Sequence, residues 1–221
     1  MMRSAFKPCF STLPGTLPVF PLEGVLLLPT GRLPLNIFEP RYLRMIDEAL
    51  AGDRMIGMIQ PREPQDHPVP PGTPVFETGC AGRITEFTET PDGRYLIVLT
   101  GICRFRIRTE LQTDNPYRSV EAEWTPFAKD MDAANCLDLD REKLTRMLKA
   151  YFHAQDISCD WDMVEDASDN SLITCLSMIC PFKAEEKQAL LEAPCCHSRA
   201  DLFMTMLEMA LCEQRGCENR H

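Results

Sequence analysis

A chain of 221 residues, 44% of them hydrophobic, needs neither metal nor disulfide to build a core, since about 70% of the unfolded surface of a chain this long can be buried. Its net charge of −10 falls mostly on the second half, where residues 126–221 hold 10 basic and 18 acidic residues against 13 and 15 in residues 1–125. That sign disfavours phosphate backbones and anionic lipid as partners, and no segment nears the roughly 18 uninterrupted apolar residues of a membrane-spanning helix.

Residues 1–15 read as a disordered leader. Arg3 and Lys7 could open a secretory signal, yet Pro18, Pro21 and Glu23 break the apolar run that follows, and no small-residue cleavage site is present. Residues 17–38 predict two short strands. In the second, Leu33, Leu35 and Ile37 alternate with Pro34, Asn36 and Phe38, the two-residue period of a strand with one buried face, and Pro34 restricts it to an edge or to its first residues. A helix follows over 39–51, with Glu39 as N-cap, Pro40 at the first helical position and Gly52 as the stop. Tyr42, Leu43, Ile46, Ala49 and Leu50 make its apolar stripe, and Arg44 precedes Asp47 and Glu48 at pairing distance on the other face.

A strand is expected at Met55–Gln60. From Pro61 to Pro74 six of fourteen residues are proline, which predicts a semi-rigid exposed loop. Strands Gly82–Thr90, Tyr95–Thr100, Ile102–Leu111 and Tyr117–Trp124 then form a meander, with Pro91-Asp92-Gly93 as its first turn. In the third, Cys103, Phe105, Ile107 and Leu111 share a core face, while Arg104, Arg106 and Arg108 point to water or a partner. Composition changes near 126–135, and five helices follow: Leu137–Ala154, Asp160–Asp166, Asn170–Cys180, Ala184–Glu192 and Ser198–Glu213. The fold class is α+β: a barrel of mainly antiparallel strands over 16–125, then a helical bundle over 126–221.

Chemistry-bearing motifs are sparse. No Gly-Lys dipeptide and no GxGxxG occur, which excludes a Walker A loop and a dinucleotide fingerprint. The eleven cysteines form no CxxC, and an odd, scattered set fits a reduced cytoplasm better than a disulfide framework. Cys175 and Cys180, Cys212 and Cys217, and the Cys195-Cys196-His197 run lack zinc-site spacing, and HExxH is missing. None of His67, His153, His197 and His221 stands in a nucleophile–base signature with a cysteine. No catalytic residue, metal ligand or cofactor is assigned. The Arg104, Arg106 and Arg108 ladder reads as a contact for an acidic or extended ligand, or as a solvated face balanced by Glu86 and Glu89. Phe20, Leu28, Phe38 and Met58 read as an apolar binding patch or as core.

Gly31-Arg-Leu-Pro-Leu-Asn-Ile-Phe-Glu-Pro-Arg-Tyr42, with Leu17-Pro-Val-Phe-Pro-Leu22 before it and Met55-Ile-Gly-Met-Ile-Gln60 after it, closely resembles the start of the Lon protease amino-terminal domain family, the substrate-binding domain in front of the Lon ATPase. Gly79-Cys-Ala-Gly-Arg-Ile84, Gly93-Arg94, Gly101-Ile-Cys-Arg-Phe-Arg-Ile107, Tyr117, Glu186-Lys-Gln-Ala-Leu-Leu-Glu192 and Arg199 resemble its later blocks, so the resemblance spans residues 16–211. It implies a pseudouridine-synthase-and-archaeosine-transglycosylase-like (PUA-like) barrel and recognition of unfolded or exposed polypeptide by edge-strand addition or an apolar groove. Cleavage would then belong to a separate protease, with no nucleic acid or membrane partner. Phe38, Arg41, Tyr42, Arg104 and Arg106 are the candidate substrate contacts. An RNA-binding module, and a small-molecule or metal enzyme using the cleft between barrel and bundle, are the alternatives.

Overall fold

The computed structural model describes residues 9–63, 69–132 and 137–218. Six strands, β1 (Thr16–Pro21), β2 (Arg32–Ile37), β3 (Met55–Ile59), β4 (Thr78–Glu89), β5 (Tyr95–Leu111) and β6 (Arg118–Glu123), form one sheet in the order β2-β5-β4-β3-β1-β6, and β6 returns to pair with β5. That return closes a barrel. Every pairing is antiparallel except β1 with β3, and β2 hangs outside the closure on the first half of β5, from Arg32↔Thr100 to Ile37↔Tyr95. The edge position that Pro34 demanded is the one β2 occupies.

Helix α1 (Pro40–Ala51) starts and stops as its sequence predicts, with Glu39 at the N-cap, Pro40 in the first turn and Gly52 as C-cap. It buries Tyr42, Met45, Ile46 and Ala49. On its outer face Arg44 Nε donates to Glu48 Oε1 at 2.8 Å. Five further helices follow: α2 (Arg141–Ala154), α3 (Trp161–Asp166), α4 (Asp169–Ile179), α5 (Ala184–Glu192) and α6 (Cys196–Glu218). Helix α2 begins four residues later than expected because Asp140, not a residue before Leu137, accepts the free Lys143 N–H at 2.9 Å. Leu137 and Leu139 still pack on the core from the segment leading into it.

Three expectations are corrected. The meander's second and third strands are one 17-residue strand, β5. Gly101 carries the chain through the expected break because it lies against the loop before β2: an added Cβ would meet the Leu28 carbonyl oxygen at 2.0 Å, and Gly101 N–H donates to Gly31 O at 2.8 Å. The proline-rich loop is anchored where it is described: Val69 and Thr73 are buried, and their carbonyls accept from Arg41 and Arg118 at 2.8 and 2.7 Å. Residues 9–15 of the expected leader are structured, with a 3-10 turn at Phe10–Thr12, Leu13 packed on the barrel core and the Pro14 carbonyl accepting from Trp124 Nε1 at 2.8 Å; residues 1–8 lie outside the described residues.

Apolar side chains form two clusters. The smaller fills the barrel around Leu17, Val19, Phe105 and Val120. The larger runs from α1 and the β2 side, through Leu26, Leu27 and Leu28, into the helices at Leu148, Ile173, Leu190 and Phe203. It crosses the expected boundary near residue 125, where a kinked 3-10 segment, Thr125–Met131, links barrel to helices.

Candidate functional site

The two halves of β5 turn opposite surfaces outward. In the second half Arg104 leaves the barrel, as period two requires, yet it is only 4% exposed. Its Nε and backbone N–H donate to Asp130 Oδ2 at 2.9 and 3.0 Å, and one terminal nitrogen donates to Asp130 Oδ1 at 2.7 Å. The other terminal nitrogen donates to the carbonyls of Leu191 and Ala193 at 2.9 and 2.7 Å. Burial works against this guanidinium's charge, but the Asp130 carboxylate overrides it and holds Arg104 above its ordinary value. Arg199 Nε donates to Leu190 O at 2.9 Å, so two arginines cap the last carbonyls of α5, a helix whose C-cap is Ala193 rather than glycine.

The same seam carries more buried polar groups. Gln60 Nε2, just past β3, donates to Ala184 O and Gln188 Oε1 at 3.1 and 3.3 Å. Gln188 Nε2 donates to Thr78 O at 3.1 Å. Lys187 Nζ donates to the Gly24 and Met178 carbonyls at 2.8 and 3.2 Å, and burial pushes its ammonium below the usual lysine value. These side chains bridge the seam between barrel and helices, where the alternative expectation set a catalytic cleft. Gln60, Lys187, Gln188 and Arg199 belong to the motif blocks quoted from the sequence, whereas Asp130, the partner of Arg104, lies outside them, and no local signal marks it.

The remaining candidates separate into tied and free groups. Arg41 Nε donates to Glu39 at 2.9 Å, its terminal nitrogen reaches the Val69 carbonyl, and its guanidinium lies 4.5 Å above the Tyr42 ring. Tyr42 is 4% exposed, its ring tilted against Phe20 with centroids 4.2 Å apart, and burial lifts its hydroxyl to about 12. Arg41 and Tyr42 therefore join α1 to the proline-rich loop. Between them and Pro70, Pro71 and Tyr117 lies a hollow of about 30 Å³, room for one water and not for a side chain. Of the arginine ladder, Arg106 and Arg108 are exposed, Arg108 pairing with Glu121 at 3.1 Å. The solvated-face reading thus fails for Arg104, and Glu86, its expected balance, pairs instead with Arg32. Phe20, Leu28 and Met58 are core, whereas Phe38 is 60% exposed.

Phe38 does not stand alone. Along the first half of β5, Ile97 and Leu99 point inward and Leu96 and Val98 outward, opposite Asn36 and Pro34 of β2. Leu96 is 46% exposed, and the Arg94 guanidinium lies 5.9 Å from the Phe38 ring. Pro34, Phe38, Leu96 and Val98 make an apolar strip on the outside of the molecule. On the opposite face of the β4–β5 hairpin, Phe87 packs edge-on against Tyr95 at 4.9 Å, whose hydroxyl donates to Asp47 of α1 at 3.0 Å. The strip's charged neighbours neutralise one another, Arg32 with Glu86 at one end and Arg94 with Asp92 at the other. Alternation inside the strand puts Leu96 and Val98 on one face but does not tell which face has a cover.

Nine cysteines, from Cys9 to Cys212, are free thiols; burial raises Cys103 and Cys180 to about 12, far from a reactive thiolate, while hydrogen bonds with Ser11 and Ser198 lower the exposed Cys9 and Cys195. Among the described residues no three His, Cys, Asp or Glu side chains converge on a metal position, and no helix is long and apolar enough to cross a membrane.

A closed barrel is joined to the helices by buried charge, and on its far side lies an apolar strip that nothing among the described residues covers. Comparison with known proteins gives its lineage. The family model of the ATP-dependent protease La (LON) substrate-binding domain matches residues 16–209, and the chain belongs to that family. It is similar to Lon protease of Cytophaga hutchinsonii, 26% identical over 200 residues, and to Lon protease 2 of Thermus thermophilus, 28% identical over 204 residues. These alignments cover 88% and 90% of this chain but 24% and 25% of those proteins, so the chain spans about a quarter of the length of such relatives. Among solved structures, a Lon N-terminal domain protein from Xanthomonas campestris superposes with a TM-score of 0.59 at 22% identity, covering 86% of this chain and 97% of that one. The N-terminal domain of Mycobacterium avium complex Lon protease gives 0.58 at 17% identity, covering 87% and 98%. Both share the fold.

Proposed function

We propose that this chain recognises exposed or unfolded polypeptide in the cytoplasm without cutting it, and that cleavage belongs to a separate protease. Family membership supports the ligand class. The observation that carries the site is the uncovered strip of Pro34, Phe38, Leu96 and Val98, uncharged overall in a protein of net charge −10. An apolar strip of neighbouring side chains on a soluble surface marks an interaction site more often than scattered apolar residues do. Of the candidate contacts, Phe38 and Arg106 are free to touch a ligand; Arg41, Tyr42 and Arg104 serve by holding the scaffold.

Fluorescence anisotropy with a labelled unstructured peptide rich in aromatic and aliphatic residues tests the reading. The double variant Phe38→Ser, Leu96→Ser should bind it at least about tenfold more weakly, equivalent to about 1.4 kcal/mol, with little change in melting temperature because both side chains already face water. Equal affinity in the two proteins would remove the strip from the proposal. Degradation of unfolded casein by the purified chain alone would refute the non-cutting part.

A further inference from the structure

Among the described residues strand β2 is hydrogen-bonded on one side only, and the phase of its backbone decides what its free side offers. Gly101 N–H donates to Gly31 O, and pairing continues without a shift through Arg32↔Thr100, Leu33↔Leu99 and Pro34↔Val98 to Ile37↔Tyr95. In an antiparallel pair, alternate residues turn both backbone groups to the partner. Leu33, Leu35 and Ile37 therefore bond to β5, and Arg32, Pro34 and Asn36 direct theirs to the open edge. Pro34, the middle one, has no N–H, and its ring occupies the space an incoming carbonyl would need.

The edge is otherwise well suited to a copy of itself. An antiparallel β2–β2 pair centred on residue 34 sets Arg32 of one copy opposite Asn36 of the other, so no like charges meet, and the two-fold arrangement is self-complementary. It would also join two apolar strips. Only the central pair of bonds, residue 34 to residue 34, is forbidden. The other open stretch of the layer, the end of β4 beyond β3, has different protection: a register shift between Ile84 and Glu86, and the exposed carboxylates of Glu86 and Glu89. Proline, bulges and charges are the usual devices that keep sheet edges from pairing.

We propose that Pro34 is an edge guard, the residue that prevents β2 from pairing with the β2 of a second copy of this chain. Analytical ultracentrifugation over a wide concentration range tests it. The wild-type chain should sediment as a monomer, while Pro34→Thr, and Pro34→Ala as a milder change that equally frees the N–H, should self-associate as concentration rises. Residue 36 also faces outward, so adding Asn36→Pro to Pro34→Thr should restore the monomer and leave the melting temperature close to that of wild type. The proposal is overturned if both residue-34 variants stay monomeric, if Asn36→Pro does not reverse their association, or if wild type already pairs through β2. Misfolding of both residue-34 variants would also refute it, since residue 34 makes no ladder bond to β5.

Discussion

One strand with two unlike outer surfaces organises this molecule. The second half of β5 sends Arg104 outward and the helical region covers it; the first half sends Leu96 and Val98 outward and nothing among the described residues covers them. Hydropathy alone would have assigned the cover the other way round. A buried guanidinium is acceptable because every direction it points is answered, by Asp130 on one side and by the last carbonyls of α5 on the other. An exposed leucine costs little, and a row of apolar side chains is what a polypeptide-binding surface needs.

The comparison breaks most visibly at Arg104. Replacing it with Met strands the Asp130 carboxylate in a half-dry seam and uncaps α5, so Arg104→Met should lose about 3–5 kcal/mol in denaturant unfolding. Adding Asp130→Leu should recover a large part of that loss, because an apolar pair leaves no unpaired charge. No recovery would mean that the carbonyl caps, and not the ion pair, dominate the seam.

A smaller effect is expected at the junction of the two halves. Gly101→Ala drives a methyl into the Leu28 carbonyl, and the strand or the loop before β2 has to shift, at about 1–3 kcal/mol. Thermal unfolding reads it, and fluorescence anisotropy would show weakened peptide binding if the shift reaches β2.

The smallest effect concerns α1 beneath the open side, and it depends on pH. The Tyr117 hydroxyl, and then Arg44, hold the Glu48 carboxyl below its usual value. A carboxyl depressed in the folded state adds stability above its unfolded value, about 4.3, and that contribution disappears as pH falls through the folded value. Tyr117→Phe should therefore be less stable than wild type at neutral pH, with the gap narrowing below about pH 4. A gap that is constant with pH would assign the effect to packing of the ring.

Elements with a local signature were legible. Glu39, Pro40 and Gly52 delimit α1 within its own sequence, and Pro34 announces an edge strand, because caps and ring constraints act over a few residues. Two features depended on distant partners. The unbroken course of β5 requires Gly101 to pass under Leu28, more than seventy positions earlier in the chain, and the destiny of Arg104 depended on Asp130 and α5. The candidate site divides in the same way: Phe38 was legible as part of a motif, whereas Arg41, Tyr42 and Arg104 have their hydrogen-bonding and stacking capacity taken up by the fold.

The amino-acid order by itself determined the strand and helix types, the edge character of β2, the α+β class and the family motifs, because periodicity, capping and proline geometry are short-range. Only the tertiary structure decided which outward faces became interior. Burial depends on what packs across a strand from far along the chain, and here the helices came to rest over the arginine half of β5 and left its leucine half open.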